Sequence, residues 1–123
     1  MSDPTALATT YFETLERRDW AALSACLDTG VVYEMPQSRE RIRGREKFLQ
    51  FNQEYPGDWH LSPRLVVADS ANAVVRFDWT LDDEAGVAVT FLGLDGDRIV
   101  SVTDFWPDTS APSASRVHLV EPW

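Results

Sequence analysis

The chain predicts an α+β fold in which helices cover one face of a curved antiparallel sheet. Two observations carry this expectation. Apolar residues recur at helical spacing through the first half of the chain, at Leu7, Tyr11 and Leu15 and again around Phe48 and Tyr55, whereas from Trp59 onward they follow the two-residue period of strands. The strand-like runs are joined by short polar segments, Asp69–Asn72, Asp82–Gly86 and Asp95–Gly96, and connections of hairpin length make an antiparallel meander.

In chain order, Asp3 is a helix cap and Pro4 suits the first helical position, so a helix spans residues 3–18 with Ala8 and Phe12 widening its apolar stripe. Asp19 caps a second, short helix from Trp20 to Leu27, which Asp28-Thr29-Gly30 ends. Val31 to Pro36 reads as a brief strand and Gln37 to Arg43 as a loop. The cluster Arg39, Arg41, Arg43 and Arg45 is offset by Glu40 and Glu46 and reads as a solvated surface rather than an anion site. Gly44 precedes a third helix, Arg45 to Tyr55, which Pro56-Gly57 terminates. Four strands follow, Trp59–Ala68, Ala73–Leu81, Val87–Leu94 and Asp97–Trp106.

The 123 residues suffice for one domain, 1–123, with 108–123 as a C-terminal arm whose Val117, Leu119, Val120 and Trp123 need something to cover. Five Trp, six Phe and three Tyr give a core rich in large rings. A net charge of -9 speaks against nucleic acid and anionic membranes as partners, because both need basic patches. The single Cys26 lies in an apolar helical pattern with no cationic neighbour and reads as a small core residue. With no signal-like apolar segment at the start and no run of spanning length, the expected location is the cytoplasm.

Asp104 departs from the pattern of its strand. Side chains alternate, so it shares a face with Val102 and Trp106, and a carboxylate there either meets water or is held in a pocket. Arg76 and Asp78 share one face of an earlier strand while Val75, Phe77, Trp79 and Leu81 share the other. Two readings stay open. Either the aromatic face packs on the helices and Arg76 and Asp78 are an exposed pair, or it forms a dimer interface and Arg76 and Asp78 join Asp104 in a pocket.

The order of elements, with Arg18-Asp19-Trp20, Tyr33-Glu34-Met35-Pro36, Gly44-Arg45-Glu46 and Asp97-Arg98-Ile99-Val100, resembles the nuclear-transport-factor-two-like superfamily over residues 3–107. The resemblance implies a cone-shaped α+β fold with a deep pocket between helices and sheet, and a homodimer formed through the sheet. The tail, Asp104-Phe105-Trp106-Pro107 leading to Arg116, looks like that of SnoaL-like members, which have no agreed activity. The positions that carry ketosteroid isomerase chemistry fall on Phe12, Met35 and Val89, so that chemistry is not expected. The paired histidines of scytalone dehydratase have only His60, which reads as a rim residue, and His118 in the tail. Limonene epoxide hydrolase is matched better: its Arg-x-Asp resembles Arg76-Phe77-Asp78, and its later Asp resembles Asp104. Its Tyr-x-Asn-Met-Pro phrase falls on Val32 and Glu34 before Met35-Pro36.

This resemblance implies a catalytic set of Asp104 as base, protonated Asp78 as acid, Arg76 bridging them and Glu34 at the water-holding position. The pocket would be lined by Tyr11, Phe12, Val32, Met35, His60, Val74, Val102 and Trp106. Two carboxylates in an apolar site share a proton, so the scheme needs no metal, nucleotide or other cofactor. The expected ligand is a small hydrophobic molecule, opened as an epoxide or closed or isomerised as in SnoaL-like enzymes. A protein that binds such a ligand without turning it over is the alternative.

Overall fold

The computed structural model describes residues 3–123. Helix α1 (Pro4–Arg17) begins where Asp3 accepts hydrogen bonds from the backbone N–H groups of Thr5 and Ala6, and it ends at Arg18 in the left-handed conformation. It buries Ala8, Tyr11, Phe12, Thr14 and Leu15, the stripe that the spacing predicts. Asp19 caps α2 (Trp20–Cys26) by accepting from the Ala22 N–H at 3.2 Å. Helix α3 (Arg45–Glu54) follows Gly44, whose φ of 97° only glycine adopts without strain, and buries Phe48.

Six strands, β1 (Leu27–Met35), β2 (Glu40–Arg43), β3 (Trp59–Ala68), β4 (Asn72–Leu81), β5 (Glu84–Asp95) and β6 (Arg98–Phe105), form one sheet in the order β2-β1-β6-β5-β4-β3. Strands β3 to β6 are the predicted meander. Three features depart from the expectation. Strand β1 starts at Leu27 rather than Val31, because Asp28-Thr29-Gly30 forms an irregularity inside the strand, where Asp28 accepts from the Gly30 N–H at 2.9 Å. Residues 40–43, expected as loop, pair antiparallel with β1. Their charged side chains suit an edge strand that must not recruit another. Strand β1 also lies parallel to β6, so the sheet is mixed rather than wholly antiparallel.

All three helices lie on one face. Helix α1 packs on β3 and β4, α3 on β1 and β2, and α2 on β1 and β6. That face buries Val31 and Tyr33 of β1, Ala73, Val75 and Phe77 of β4, Ala88, Thr90 and Leu92 of β5, and Val102 and Asp104 of β6. Rings tie the layers together, with Phe12 4.9 Å from Phe77 and Tyr33 stacked 4.9 Å from Phe48 between centroids. Register shifts between Pro63 and Leu65 and between Gly93 and Leu94 bend the strands, and the second also resets which β6 residues point inward. The opposite face leaves Leu65, Val67, Val87 and Phe91 exposed.

Beyond β6 the chain forms no further helix or strand, and Val117, Leu119, Val120 and Trp123 are exposed. In the isolated chain these apolar tail residues therefore do not cover the body of the fold. Among the described residues, no helix is long and apolar enough to cross a membrane.

Candidate functional site

A cavity of about 380 Å³ opens between α1, α3 and the inner face of the sheet. Its walls are unusually aromatic: nine of the lining side chains are Phe, Tyr or Trp. Each wall follows from a local rule. Tyr11, Phe12 and Leu15 are the buried stripe of α1, Phe51 and Tyr55 continue the Phe48 side of α3, and Phe77 and Trp79 alternate along β4. Trp79 has room because its partner across the ladder is Gly86, where a Cβ would lie 2.7 Å from the indole. Trp106 closes the wall beyond β6. The Gln37 amide donates to the Trp106 carbonyl at 2.7 Å and accepts from its N–H, so one side chain stands in for a further strand pairing.

Asp104 lies in this wall with 8% of its surface exposed. Tyr33 Oη donates to Oδ2 at 2.7 Å and Thr90 Oγ1 to Oδ1 at 2.5 Å. Among the described residues, neither carboxylate oxygen meets a cation. Burial raises the Asp104 pKa to about 6, and the hydrogen bonds from Thr90 and Tyr33 pull the other way without cancelling the loss of water. Burial and the neighbouring Asp104 charge raise the pKa values of Tyr11 and Tyr33, so both phenols stay protonated. The site thus combines a carboxyl group poised near neutrality with neutral donors in an apolar cavity. No group of three or more His, Cys, Asp or Glu among the described residues is arranged to hold a metal ion.

A family model described as SnoaL-like domain matches residues 8–107. The chain belongs to the SnoaL-like family. A candidate ketosteroid isomerase from Kribbella flavida DSM 17836 shares 47% identity with it at a TM-score of 0.94, over 97% of this chain and 88% of that one. An NTF-2 like protein of unknown function from Burkholderia xenovorans LB400 superposes at 0.81 with 17% identity, covering 96% and 93% of the two chains. An LEH-like epoxide hydrolase from M. tuberculosis superposes at 0.71 with 18% identity, covering 82% and 80%. At that identity the last two share the fold alone. No curated protein matches the chain.

Within this SnoaL-like fold, the residues singled out from the sequence divide between the two faces of the sheet. Asp104, Tyr11, Phe12, Met35 and Trp106 line the cavity. Arg76 and Asp78 do not: the apolar alternation of β4 buries Val75 and Phe77, which turns both charged neighbours outward, where Asp78 pairs with Arg64 at 2.7 Å. Val74 shares that outer face for the same reason. Glu34 and Val32 also point outward, because β1 turns Val31 and Tyr33 inward, and Glu34 pairs with Arg41 at 2.6 Å. Val102 is fully buried beneath the wall rather than in it. His60 is half exposed outside the cavity, held between Glu16 and Asp58 at 2.9 Å each.

Tyr33 and Thr90 are the residues that sequence reasoning missed. Alignment on Met35-Pro36 put Val32 and Glu34 inside, one residue out of phase with the burial of β1. The signal for Tyr33 was its parity with Val31. The signal for Thr90 was a hydroxyl between inward Ala88 and Leu92, and it becomes informative only once the pairing of Thr90 with Asp104 is known.

Proposed function

We propose that this SnoaL-like protein is a cofactor-independent acid–base enzyme acting on a small hydrophobic molecule by isomerisation or ring closure, with Asp104 moving the proton. The observation that carries the reading is Asp104 itself, a buried carboxyl with a pKa of about 6 in the wall of an aromatic cavity. Asp104 takes a proton from a carbon beside a substrate carbonyl. Each of its oxygens keeps a lone pair beyond the bonds to Tyr33 and Thr90, which hold the group in one orientation. The Tyr11 hydroxyl, kept protonated beside it, donates to the enolate oxygen as negative charge develops there. Asp104 then returns the proton to a different carbon, which isomerises the substrate. Alternatively the enolate carbon attacks a second carbonyl of the same molecule, forming the ring bond, and the new alkoxide takes the proton.

The geometry favours this branch over epoxide hydration, which needs a second carboxyl to protonate the opening oxygen. Asp78 lies on the other face, and the remaining carboxylates around the cavity, Glu84 and Asp108, stand at exposed positions. The test is solvent-deuterium exchange into a panel of enolisable ketones, some neutral and some bearing an ammonium group, followed by NMR. Wild type should catalyse exchange and Asp104→Asn should slow it by about 10²-fold or more. Equal rates in the two proteins refute the role of Asp104. Binding of the ketones without exchange by wild type favours the non-catalytic alternative.

We further propose that a second copy covers the outer sheet face, where Leu65, Val67, Val87 and Phe91 stand exposed. Sedimentation over a range of concentrations tests this. The buried free thiol of Cys26 suits action in the reducing cytoplasm.

A further inference from the structure

We infer that the substrate or ligand of this cavity is a small apolar cation, an organic ammonium ion whose charged end lies among the aromatic rings beside Asp104. The inference rests on the acid–base site proposed above and names its substrate class. Three observations carry it. First, the charged side chains that line the cavity are all acidic: Asp104 deep in the wall and Glu84 and Asp108 at exposed positions, with no Lys, Arg or His among the described lining residues. Second, the walls are built of aromatic rings, with Phe77, Trp79 and Trp106 lining the same cavity as Asp104 and Trp106 packed edge-on against the other two. Ring faces attract organic cations through their quadrupoles, most strongly where water is excluded. Third, Asp104 is buried with only neutral donors, Tyr33 and Thr90, on its two oxygens. A buried carboxylate is costly without a cation, and a bound ammonium ion would supply the counter-charge that the chain withholds.

The basic side chains nearby serve other purposes. Arg18 stacks on Trp59 at 3.3 Å from the ring centroid and also donates to the Trp59 carbonyl, without itself lining the cavity. Arg64 and Arg41 hold Asp78 and Glu34 on the outer face. A neutral ligand filling the cavity would remove the water that remains near Asp104 and give nothing back, and an anion would meet like charge from all three carboxylates. The chain's net charge of -9 draws cations toward the opening as well.

The test compares benzyltrimethylammonium with neopentylbenzene, which has the same shape and no charge, by tryptophan fluorescence and calorimetry on the intact protein. The cation should bind at least about tenfold more tightly at neutral pH. Equal or tighter binding of the neutral compound overturns the inference without recourse to any variant. Asp104→Asn should lose about tenfold in affinity for the cation, whereas Asp78→Asn, which removes the same charge from the outer face, should stay within about twofold. Equal losses in the two variants would mean a long-range field rather than a site, and would also overturn it. Neither probe reacts, so the result is independent of turnover. Cation preference without ketone exchange refutes only the enzyme reading, and exchange without cation preference refutes only the ligand class.

Discussion

Asp104 and Asp78 are the same side chain on the same sheet, and the difference between them is one of face. Asp78 lies on the outer face of β4, partly exposed, with Arg64 at 2.7 Å. Asp104 lies on the inner face of β6 with 8% of its surface exposed and only hydroxyl donors for company. Water and a guanidinium support the charge of Asp78, so it needs nothing further. Asp104 has lost its water and gained no counter-charge, and its pKa rises to about 6 in consequence. The Arg76 and Asp78 whose spacing suggests a catalytic pair therefore stand on the outer face, where Asp78 bridges to Arg64, while the carboxyl with no ionic partner has the perturbed pKa.

The largest way to break this comparison is catalytic. Asp104→Asn should reduce proton exchange by about 10²-fold or more, and Asp78→Asn should leave it within about twofold. A loss at Asp78 would put the chemistry on the wrong face.

Packing comes next. Phe77, 1% exposed on the inner face, should cost about 3–5 kcal/mol when changed to alanine, measured by urea unfolding. Phe91, 47% exposed on the outer face, should cost less than about 1 kcal/mol in a monomer. A larger, concentration-dependent cost at Phe91 would instead show the outer face covered by a second copy.

Stability against pH gives a smaller and more diagnostic effect. The folded-state pKa of Asp104 is about 6 against 3.8 for the free group, so the native state holds the proton more tightly between those values. Its contribution is most favourable below about pH 4 and is lost as pH rises through about 6. Asp104→Asn, which has no charge to bury, should therefore be more stable than wild type at pH 7, on the order of 3 kcal/mol, with the gap closing toward about pH 4. A variant less stable at pH 7 than wild type would mean that the hydrogen bonds outweigh the desolvation.

The smallest effect is a titration. Tyr33→Phe removes a donor that favours the carboxylate, so the Asp104 pKa, followed by carboxyl ¹³C NMR, should move up from about 6. Arg64→Ala should leave it unmoved, since Arg64 faces the other way.

Much of the fold was legible in the chain. The caps at Asp3 and Asp19, the stripe of α1 and the hairpin connections after Trp59 state their structure locally. Strand β2 was not legible, because Glu40-Arg41-Ile42-Arg43 has loop-like composition and becomes a strand only by pairing with β1. Asp104 was visible as a carboxylate in an apolar run, but its partners come from strands 71 and 14 residues away in sequence.

By itself, then, the sequence determined the α+β class, the helix starts, the meander and the anomaly at Asp104, all of which follow from neighbours within a turn or a hairpin. Only the tertiary structure decided which face of each strand is inside. A two-residue alternation is equally consistent with either face, and the choice is made by where the helices pack and where a bulge shifts the phase. That choice sent Arg76, Asp78 and Glu34 to the outer face and brought Tyr33 and Thr90 to Asp104.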